Sequence, residues 1–239
     1  MDRGIWAIWH DLSDEAETEH VAWLHERFLP SMLQRHGYLW AAHVENVDWP
    51  ERGEHNARRL MRTSDPNIPT GFRHLVLFGA ESPHTFVDPS QEEMLGDLTA
   101  EDRRMLAARD AERSIVFVEV DRVEAPDAAT RRPGITPGPV IQFGTFDINQ
   151  TTNETEMNTW YSRSRLPLVA PLAGNVGARR VVSIAGWPKH GILYEFSSLG
   201  AAQENLKDPS EWTRKVVDNL VHAPHSPTLG TRVWPPYQA

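Results

Sequence analysis

The sequence predicts an α+β protein built from two copies of one βαββαβ unit, and three observations lead to this prediction. Residues of uncommon type coincide over about 40 positions when Trp23 is placed on Trp160. The same order of strand and helix patterns occurs in both halves. A stretch rich in Pro and Gly, 125–139, separates them. The coinciding residues are Glu19 and Glu156, Leu29-Pro30 and Leu166-Pro167, Gly37 and Gly174, and Val44 and Val181.

Each copy begins with a strand rich in aromatic and β-branched residues, Ile5–His10 or Val140–Phe146. A helix of about 20 residues follows, over 14–35 or 152–172, with apolar residues at helical spacing. Pro30 and Pro167 lie inside these helices. Because proline has no backbone N–H, we expect each to kink or restart its helix.

The rest of each copy reads as two strands, a helical region and a last strand. In the first copy these are Leu39–Val44, Arg73–Phe78, 90–111 and Ser114–Val120, and in the second they are Gly177–Ser183, Gly191–Phe196, 199–221 and Thr228–Trp234. This order is that of the ferredoxin-like unit, whose helices cover one face of the sheet. The other face needs a cover, so the two sheets are expected to pack face to face.

The predicted domain organisation follows from the repeat. The first unit spans 1–124, the linker 125–139 and the second unit 140–239. The first copy carries an insertion over about 51–70, which is rich in arginine and has the length of a lid or of an irregular excursion.

Composition excludes several classes of function. The chain of 239 residues has no cysteine, so a disulfide, a thiolate metal site and a cysteine nucleophile are excluded. Its formal net charge of −9 argues against a nucleic-acid partner, which would need clustered Lys and Arg. The N-terminus lacks the apolar segment of a signal peptide, and no stretch is long enough to span a bilayer, so a cytoplasmic location is expected.

The second copy carries the residues of a family resemblance. They are Phe146-Asp147-Ile148, Glu154, Glu156, Trp160-Tyr161, Leu166-Pro167, Gly174 and Ala178-Arg179-Arg180. In this pattern the chain resembles the dimeric α+β barrel superfamily, most closely its EthD-like branch, with both halves in tandem. The resemblance implies that two ferredoxin-like units form a barrel within one chain, each with a hydrophobic pocket between sheet and helices. The superfamily includes cofactor-independent monooxygenases, isomerases, polyketide cyclases and haem enzymes, so fold alone does not choose the reaction.

The chain departs from the branch at one position. EthD-like members carry a histidine five residues after the helix tryptophan, where this chain has Phe28 and Arg165. In the first copy His25 lies three residues earlier, about one helical turn away. An imidazole there is suited to move a proton near neutral pH, or else is a histidine at the edge of the core.

Candidate site residues come mainly from the first copy. His25, His10 and His43 are the candidate catalytic residues. Strand alternation puts His10 on the face of Trp6 and Ile8, and His43 on the face opposite Trp40. The candidate substrate-binding residues are Trp6, Trp40, Phe28, His74, Tyr161, Arg165, Arg179 and Tyr194. Arg179 and Arg180 point to opposite faces of their strand, and an ion pair with Glu195 is the alternative to binding a substrate anion.

No metal-ligand motif is evident, because His20 and His25 have the wrong spacing to share an ion on a regular helix and His222-Ala-Pro-His225 is only weakly indicative. No tightly bound cofactor is therefore expected, with haem as a minor alternative. The expected function is a lyase, isomerase or cyclase that transfers a proton on an aromatic or polyketide-like molecule in the pocket of the first copy.

Three alternatives remain at this point: a cofactor-free monooxygenase, a haem protein with a histidine ligand, and a non-catalytic binding module. The expected partners are a small-molecule substrate and, as an oligomer, a second copy of the chain. Neither a nucleic acid nor a membrane is expected.

Overall fold

The protein is described by a computed structural model that covers residues 2–47, 60–131, 137–149, 153–206 and 218–237. The first half is taken as residues 2–124 and the second half as 140–237. Part of the predicted insertion (51–59), part of the predicted linker (132–136) and most of the last helical region (207–217) lie outside the described residues.

The described part of the first half contains five strands and the helices between them. Its elements are β1 (Gly4–Asp11), α1 (Asp14–Trp23), a π-helical turn (Leu24–Phe28), α2 (Leu29–Met32), β2 (Tyr38–Asn46), β3 (Met61–Arg62), β4 (His74–Ala80), a 3-10 turn (Pro83–Phe86), α3 (Gln91–Gly96), α4 (Ala100–Ala107) and β5 (Asp110–Glu124). A 3-10 turn (Pro126–Thr130) leads out of β5.

The second half repeats this order without a counterpart of β3 in the same position. Its elements are β6 (Val140–Ile148), α5 (Glu154–Trp160), a π-helical turn (Tyr161–Arg165), α6 (Leu166–Val169), β7 (Asn175–Ala185), β8 (His190–Phe196), α7 (Leu199–Asn205), β9 (Leu220–His222) and β10 (Thr228–Trp234). Within the described ranges, no helix is both long and apolar enough to cross a membrane.

Pro30 and Pro167 perturb their helices as predicted, and each perturbation is a π-helical turn. Pro30 has no N–H to donate to the carbonyl four residues before it, and the wider turn Leu24–Phe28 directly precedes α2. Tyr161–Arg165 stands in the same relation to Pro167. The predicted helical region 90–111 is two short helices, because Ser90 and Thr99 each begin a capping box.

The strands form one sheet that closes on itself, in the order β10-β2-β4-β1-β5-β7-β8-β6, with β6 pairing back to β10. All eight of these strands run antiparallel to their neighbours. The expectation of two sheets packed face to face is thereby corrected. β5 is 15 residues long and pairs with β1 through its first part and with β7 through its last, so the halves join edge to edge.

Side-chain alternation divides the core into three layers. The barrel interior is filled by residues of both halves, among them Ile5, Trp9 and Phe143. On the outer face, Trp6, Ile8 and Phe78 pack against the helices of the first half. A matching layer around Phe146 and Trp160 lies under the helices of the second half. The barrel interior is therefore filled by apolar side chains of both halves.

Candidate active site: a histidine cluster under the first helix

Three strands bring polar side chains together at one end of the outer face of the first half. His10 of β1 lies opposite His74 of β4, and His74 lies opposite Glu45 of β2. His43 is two residues before Glu45 on the same face, diagonally across from His74. Three strand histidines and one carboxylate thus form a patch where the apolar row of Trp6 and Ile8 ends.

The helix above this patch adds two more histidines. His20 lies in α1 with its ring centroid 5.6 Å from that of His10. His25 lies in the π-helical turn with its ring centroid 5.0 Å from that of His43. In a π turn the hydrogen bonds run to the fifth residue, so residues five apart come to the same side. His10, His20, His25, His43 and His74 are called the histidine cluster below.

A chain of close contacts runs through the cluster. His25 Nε2 is 2.8 Å from His43 Nδ1, and His43 Nε2 is 3.0 Å from His74 Nδ1. His74 Nε2 points toward Glu17 Oε1 at 3.6 Å, and Arg73 holds the same oxygen at 2.9 Å. Glu17 and His25 are partly exposed, whereas His43 and His74 are fully buried, so the chain joins two accessible ends through the interior.

The imidazoles are held in their neutral form. Burial lowers the pKa of His10 and His43 well below the ordinary value, and nearby cationic or titratable groups, Arg109 and the other histidines, lower it further. Burial likewise lowers the pKa of His25. For His20, burial followed by Arg109 and His74 lowers the pKa to about 3. Neutral imidazoles have a free nitrogen lone pair, which can accept a hydrogen bond or bind a metal.

Several buried groups at the cluster, His10 and Arg109 among them, have polar atoms without a partner among the described residues. Both ring nitrogens of His10 are unpaired, although His10 is 0% exposed. Arg109, which precedes β5, pairs with Glu112 at 3.1 Å through Nη1, but its Nε and Nη2 have no acceptor. The side chain of Arg109 is 2% exposed, and burial lowers its pKa. A buried polar group without a hydrogen bond lowers the stability of the fold by about 1–3 kcal/mol. Both groups are therefore suited to bind a polar ligand.

The structure brings four of the predicted site residues together, namely His10, His25, His43 and His74. Phe28 lies close by, stacked on Trp23 at 4.8 Å with the guanidinium of Arg109 5.9 Å from its ring.

The two predicted tryptophans lie on opposite sides of the sheet. Trp6 is in the helix-facing layer and donates to Ser114 Oγ at 2.7 Å. Trp40 is inside the barrel and donates to Asp2 Oδ2 at 2.7 Å.

The candidates in the second half lie apart from the cluster. Arg165 donates to Tyr194 Oη at 3.1 Å, and Tyr161 is buried in the same helix-facing layer. Arg179 is 1% exposed and pairs with Glu195 at 3.2 Å and Asp2 at 2.5 Å. The ion pair with Glu195, suggested by the sequence as an alternative to substrate binding, is thus formed.

Sequence reasoning missed four members of the site: Glu17, His20, Glu45 and Arg109. His20 was set aside on regular helical spacing, which the π turn changes. Arg109 was placed in a helical region, whereas it lies just before β5. Glu45 could have been identified from the sequence, because it follows His43 by two residues on a predicted strand and so lies on the same face.

A corresponding place exists in the second half. Phe146 lies opposite His190 in the β6–β8 pair, as His10 lies opposite His74. His190 Nε2 is 3.2 Å from Glu154 Oε1, and Lys189 binds that oxygen at 2.6 Å. The cation–carboxylate–histidine group is therefore present in both halves. Arg180, two residues before Val182, takes the position of His43.

Three members of the first site have the chemistry of metal ligands. His43, Glu45 and His74 each offer one ligand atom, and the three atoms lie within 4.8 Å of one another. The sequence analysis predicted no metal site, so this set of ligands was not foreseen.

No model of a known protein family matches the sequence, and no curated protein matches it. Solved structures do match. An anthrone oxidase-like protein superposes with a TM-score of 0.59 at 9% identity, covering 97% of this chain and 91% of the other. A candidate monooxygenase from Lactobacillus acidophilus gives 0.54 at 11%, covering 97% and 94%. A dye-decolorizing peroxidase from Bacteroides thetaiotaomicron gives 0.53 at 9%, covering 97% and 93%.

These neighbours contradict the expectation that the chain has no cofactor. Besides the Bacteroides enzyme they include an encapsulated peroxidase of the same type from Mycobacterium smegmatis and a candidate chlorite dismutase, and such neighbours point to haem. A haem ligand needs only one histidine beside a pocket, so no sequence motif marks it.

The histidine cluster, as packed here, does not fit a haem. An axial ligand must turn one ring nitrogen toward an open macrocycle plane. The rings of His10 and His43 instead stack on that of His74, each at 5.2 Å between centroids. Both nitrogens of His43 already face other imidazoles. The faces that a macrocycle would need are filled by rings, so the cluster suits a smaller guest.

The similar structures thus show the fold of the chain, and the reaction has to be inferred from the residues of the site. Their identities are too low to carry an activity, but the neighbours cover nearly the whole chain. The chain has the fold of the dimeric α+β barrel proteins.

Proposed function

We propose that the chain is an oxidoreductase that acts on a small aromatic molecule at the histidine cluster. The observation that carries this proposal is the convergence of five buried or half-buried neutral imidazoles with a buried, half-paired arginine in an otherwise apolar layer. Such a concentration of polar groups costs stability and is typical of a site that binds and converts a ligand.

Oxidation is favoured over the lyase or isomerase chemistry that the sequence suggested. The anthrone oxidase-like protein and the candidate monooxygenase share the fold, as do the peroxidases. None of the similar structures named above is a lyase or an isomerase, and nothing else supports that reaction type.

The accessible edge of the cluster suits an aromatic substrate. His25 is partly exposed, and its ring lies 6.4 Å from that of Trp234, nearly parallel at 28°. Trp234 belongs to β10 and so comes from the other half of the chain. An aromatic molecule that covers these rings would bury apolar area and place its polar edge against the imidazoles.

Arg109 suits the oxygen of such a substrate. Its unpaired Nε and Nη2 can donate two hydrogen bonds to a phenolate or enolate oxygen. Because the arginine is buried, its charge acts at low dielectric and would stabilise an anion more than a surface arginine does.

The simplest oxidation of this class converts a methylene between two aryl rings into a ketone. Molecular oxygen is the oxidant: one oxygen atom enters the product, and the other leaves as water with the two hydrogens of the methylene. The carbon loses four electrons and the oxygen molecule gains them. This defines the class of substrate to be tested.

The test is oxygen consumption with a panel of anthrone-type and phenolic substrates, with product identified by mass spectrometry. Turnover is expected for the wild type, and Arg109→Gln and His25→Gln are each expected to lower kcat/KM by at least about tenfold, the effect of losing about 1.4 kcal/mol. His36→Gln, at an exposed histidine outside the site, is the matched control. Turnover that is unchanged in both site variants would contradict the assignment.

Several finer points belong to this proposal. We propose that the halves arose by tandem duplication of a ferredoxin-like unit, with 1–124 and 140–239 as the units and 125–139 as the linker. The shared cation–carboxylate–histidine groups support it. Membership of the EthD-like branch, pairing of the chain as a homodimer and a cytoplasmic location are proposed on the resemblance and composition described above.

A further inference from the structure

We infer that His43, Glu45 and His74 bind a single divalent transition-metal ion. The inference concerns the site of the proposed function, but metal binding is measured without turnover, so either can fail alone.

The ligand atoms are already close to the spacing that an ion requires. Metal–nitrogen bonds of about 2.0–2.1 Å place two adjacent ligands about 3 Å apart. His43 Nε2 and His74 Nδ1 are 3.0 Å apart. Glu45 lies opposite His74 across the β2–β4 pair, and one ligand atom from each of the three residues lies within 4.8 Å of the others. Glu45 is partly exposed, so its carboxylate is free to rotate toward the imidazoles.

The partners of these ligands are those of a metal site. A ligating histidine normally donates its second ring N–H to a carboxylate, a carbonyl or another acceptor, which fixes the tautomer. With Nε2 of His43 on the ion, its Nδ1–H points at His25 Nε2, 2.8 Å away. With Nδ1 of His74 on the ion, its Nε2–H points toward the Glu17 carboxylate, 3.6 Å away.

His10 supplies a second and independent indication of a guest. Its ring stacks on that of His74, it is fully buried, and neither ring nitrogen has a partner among the described residues. Water carried into the site on the open positions of an ion would give such nitrogens a donor. An apolar residue at this position would have been cheaper if the site held no polar guest.

The second half has different side chains at the positions where the first half would bind the ion. There the carboxylate–histidine pair of Glu154 and His190 is kept, but Arg180 stands at the position of His43 and Val182 at that of Glu45. The guanidinium of Arg180 binds Asn158 and supplies a fixed positive charge. In the first half the same place holds an imidazole, whose ring nitrogen can bind a cation instead of supplying a positive charge.

The donor set identifies the class of ion. Two imidazoles and one carboxylate, with further positions open, suit iron and other first-row transition metals, whereas calcium and magnesium prefer oxygen donors. The ion would sit between His43 and His74, on the side of His43 that faces away from His25 and next to the partly exposed Glu45.

Binding can be measured on the full chain after removal of metals with a chelator. Titration with Co²⁺ under nitrogen is expected to give visible absorption bands that saturate at one ion per chain, and Zn²⁺ is expected to displace the Co²⁺. Glu45→Gln keeps the size of the side chain and is expected to weaken Co²⁺ binding by more than about 100-fold. Glu17→Gln, which affects only an outer partner, is expected to weaken it by about tenfold.

Two controls separate this site from other histidines. His190→Asn changes the corresponding histidine of the second half and is expected to leave the affinity unchanged. The double variant His222→Gln with His225→Gln removes the histidine that ends β9 and the one in the turn after it, and is also expected to bind normally. Circular dichroism and urea unfolding check that each variant is folded.

Three results would overturn the inference: no stoichiometric Co²⁺ binding, binding that is insensitive to Glu45→Gln and Glu17→Gln, or binding that depends on His222 and His225. A Soret band after addition of haem that disappears in His74→Asn would overturn it too, since the cluster would then take a macrocycle. One bound ion without substrate oxidation would contradict only the proposed function. Substrate oxidation by a chain that binds no Co²⁺ would contradict only the metal site.

Discussion

The two halves of the barrel place the same small group under their first helices and surround it differently. In each half a carboxylate on the helix lies beside a histidine at the start of a strand and a cation just before it: Glu17, His74 and Arg73, or Glu154, His190 and Lys189. In the first half, four more imidazoles gather at this group. In the second half, Phe146, Met157, Ser162 and Arg180 stand in the corresponding places.

This difference teaches which part of the arrangement is structural. The group common to both halves ties the helix to the sheet, and it persists where no cluster is present. The additional histidines have no structural counterpart in the second half and leave buried nitrogens unpaired. The surplus of imidazoles in the first half is therefore the part that points to function.

The largest expected effect concerns the tryptophans that the halves share. Trp23 is buried and donates to Asp102 Oδ1 at 3.0 Å, whereas Trp160 has no such carboxylate partner among the described residues. Trp23→Ala should lower the free energy of unfolding by about 3–5 kcal/mol, and Trp160→Ala by about 1 kcal/mol less. Urea unfolding with a shared m-value measures both. Equal losses would show that the hydrogen bond to Asp102 adds nothing.

His43→Arg makes the first half resemble the second at the decisive position. A guanidinium so close to Glu45 and Glu17 should exclude a divalent ion, and the Co²⁺ affinity should fall by more than about 100-fold. The fold should be retained, because the second half accommodates arginine there. The Co²⁺ titration described above, together with thermal unfolding, measures this. Retained affinity would show that His43 is not a ligand.

The reverse exchange tests the comparison from the other side. Arg180→His with Val182→Glu gives the second half two imidazoles and a carboxylate in the register of the first. We expect a second Co²⁺ ion to bind, more weakly than the first because the outer partner of His43 is replaced by Ser162. Val182→Glu alone is the control and should leave one ion per chain. If the double variant also binds only one Co²⁺ ion per chain, two imidazoles and a carboxylate at these positions are not sufficient to form a metal site.

A smaller effect is expected from acid. The pKa of His20 is lowered to about 3 by burial, then by Arg109 and His74. In the unfolded chain an imidazole titrates near 6.5, so the unfolded state binds the proton first and stability falls as the pH drops below about 6.5. His20→Met, which copies Met157, should reduce this fall by less than about 1.4 kcal/mol per pH unit between pH 6 and 4.5. Urea unfolding at both pH values measures the slope, and an unchanged slope would contradict the burial of a neutral His20.

The sequence allowed the order of most strands and helices and part of the site to be predicted, but not the closure of the strands into one sheet. Alternation along the strands put His10 with Trp6 and His43 with Ala41, which the structure shows on the helix-facing side. The pairing of His43 with His74, 31 residues apart, depends on the register of β2 and β4, which a single sequence does not display. His20 and His25 both face the cluster although they are five residues apart, and a π turn that contains His25 follows α1. Trp40 and Arg179 are inside the barrel because the sheet closes, and alternation does not say which face closure will enclose.

The length of β5 has a consequence for how the protein unfolds. The residues Val116–Val118 of this strand pair with β1 on one side and with β7 on the other. If the strands of one half unfold, a strand of the other half loses its hydrogen-bonded neighbour. Unfolding should therefore be a single cooperative transition, although the sequence has two similar parts. Cutting the chain near residue 125 would leave each fragment with the strand edges that closure now hides, and such edges are prone to associate.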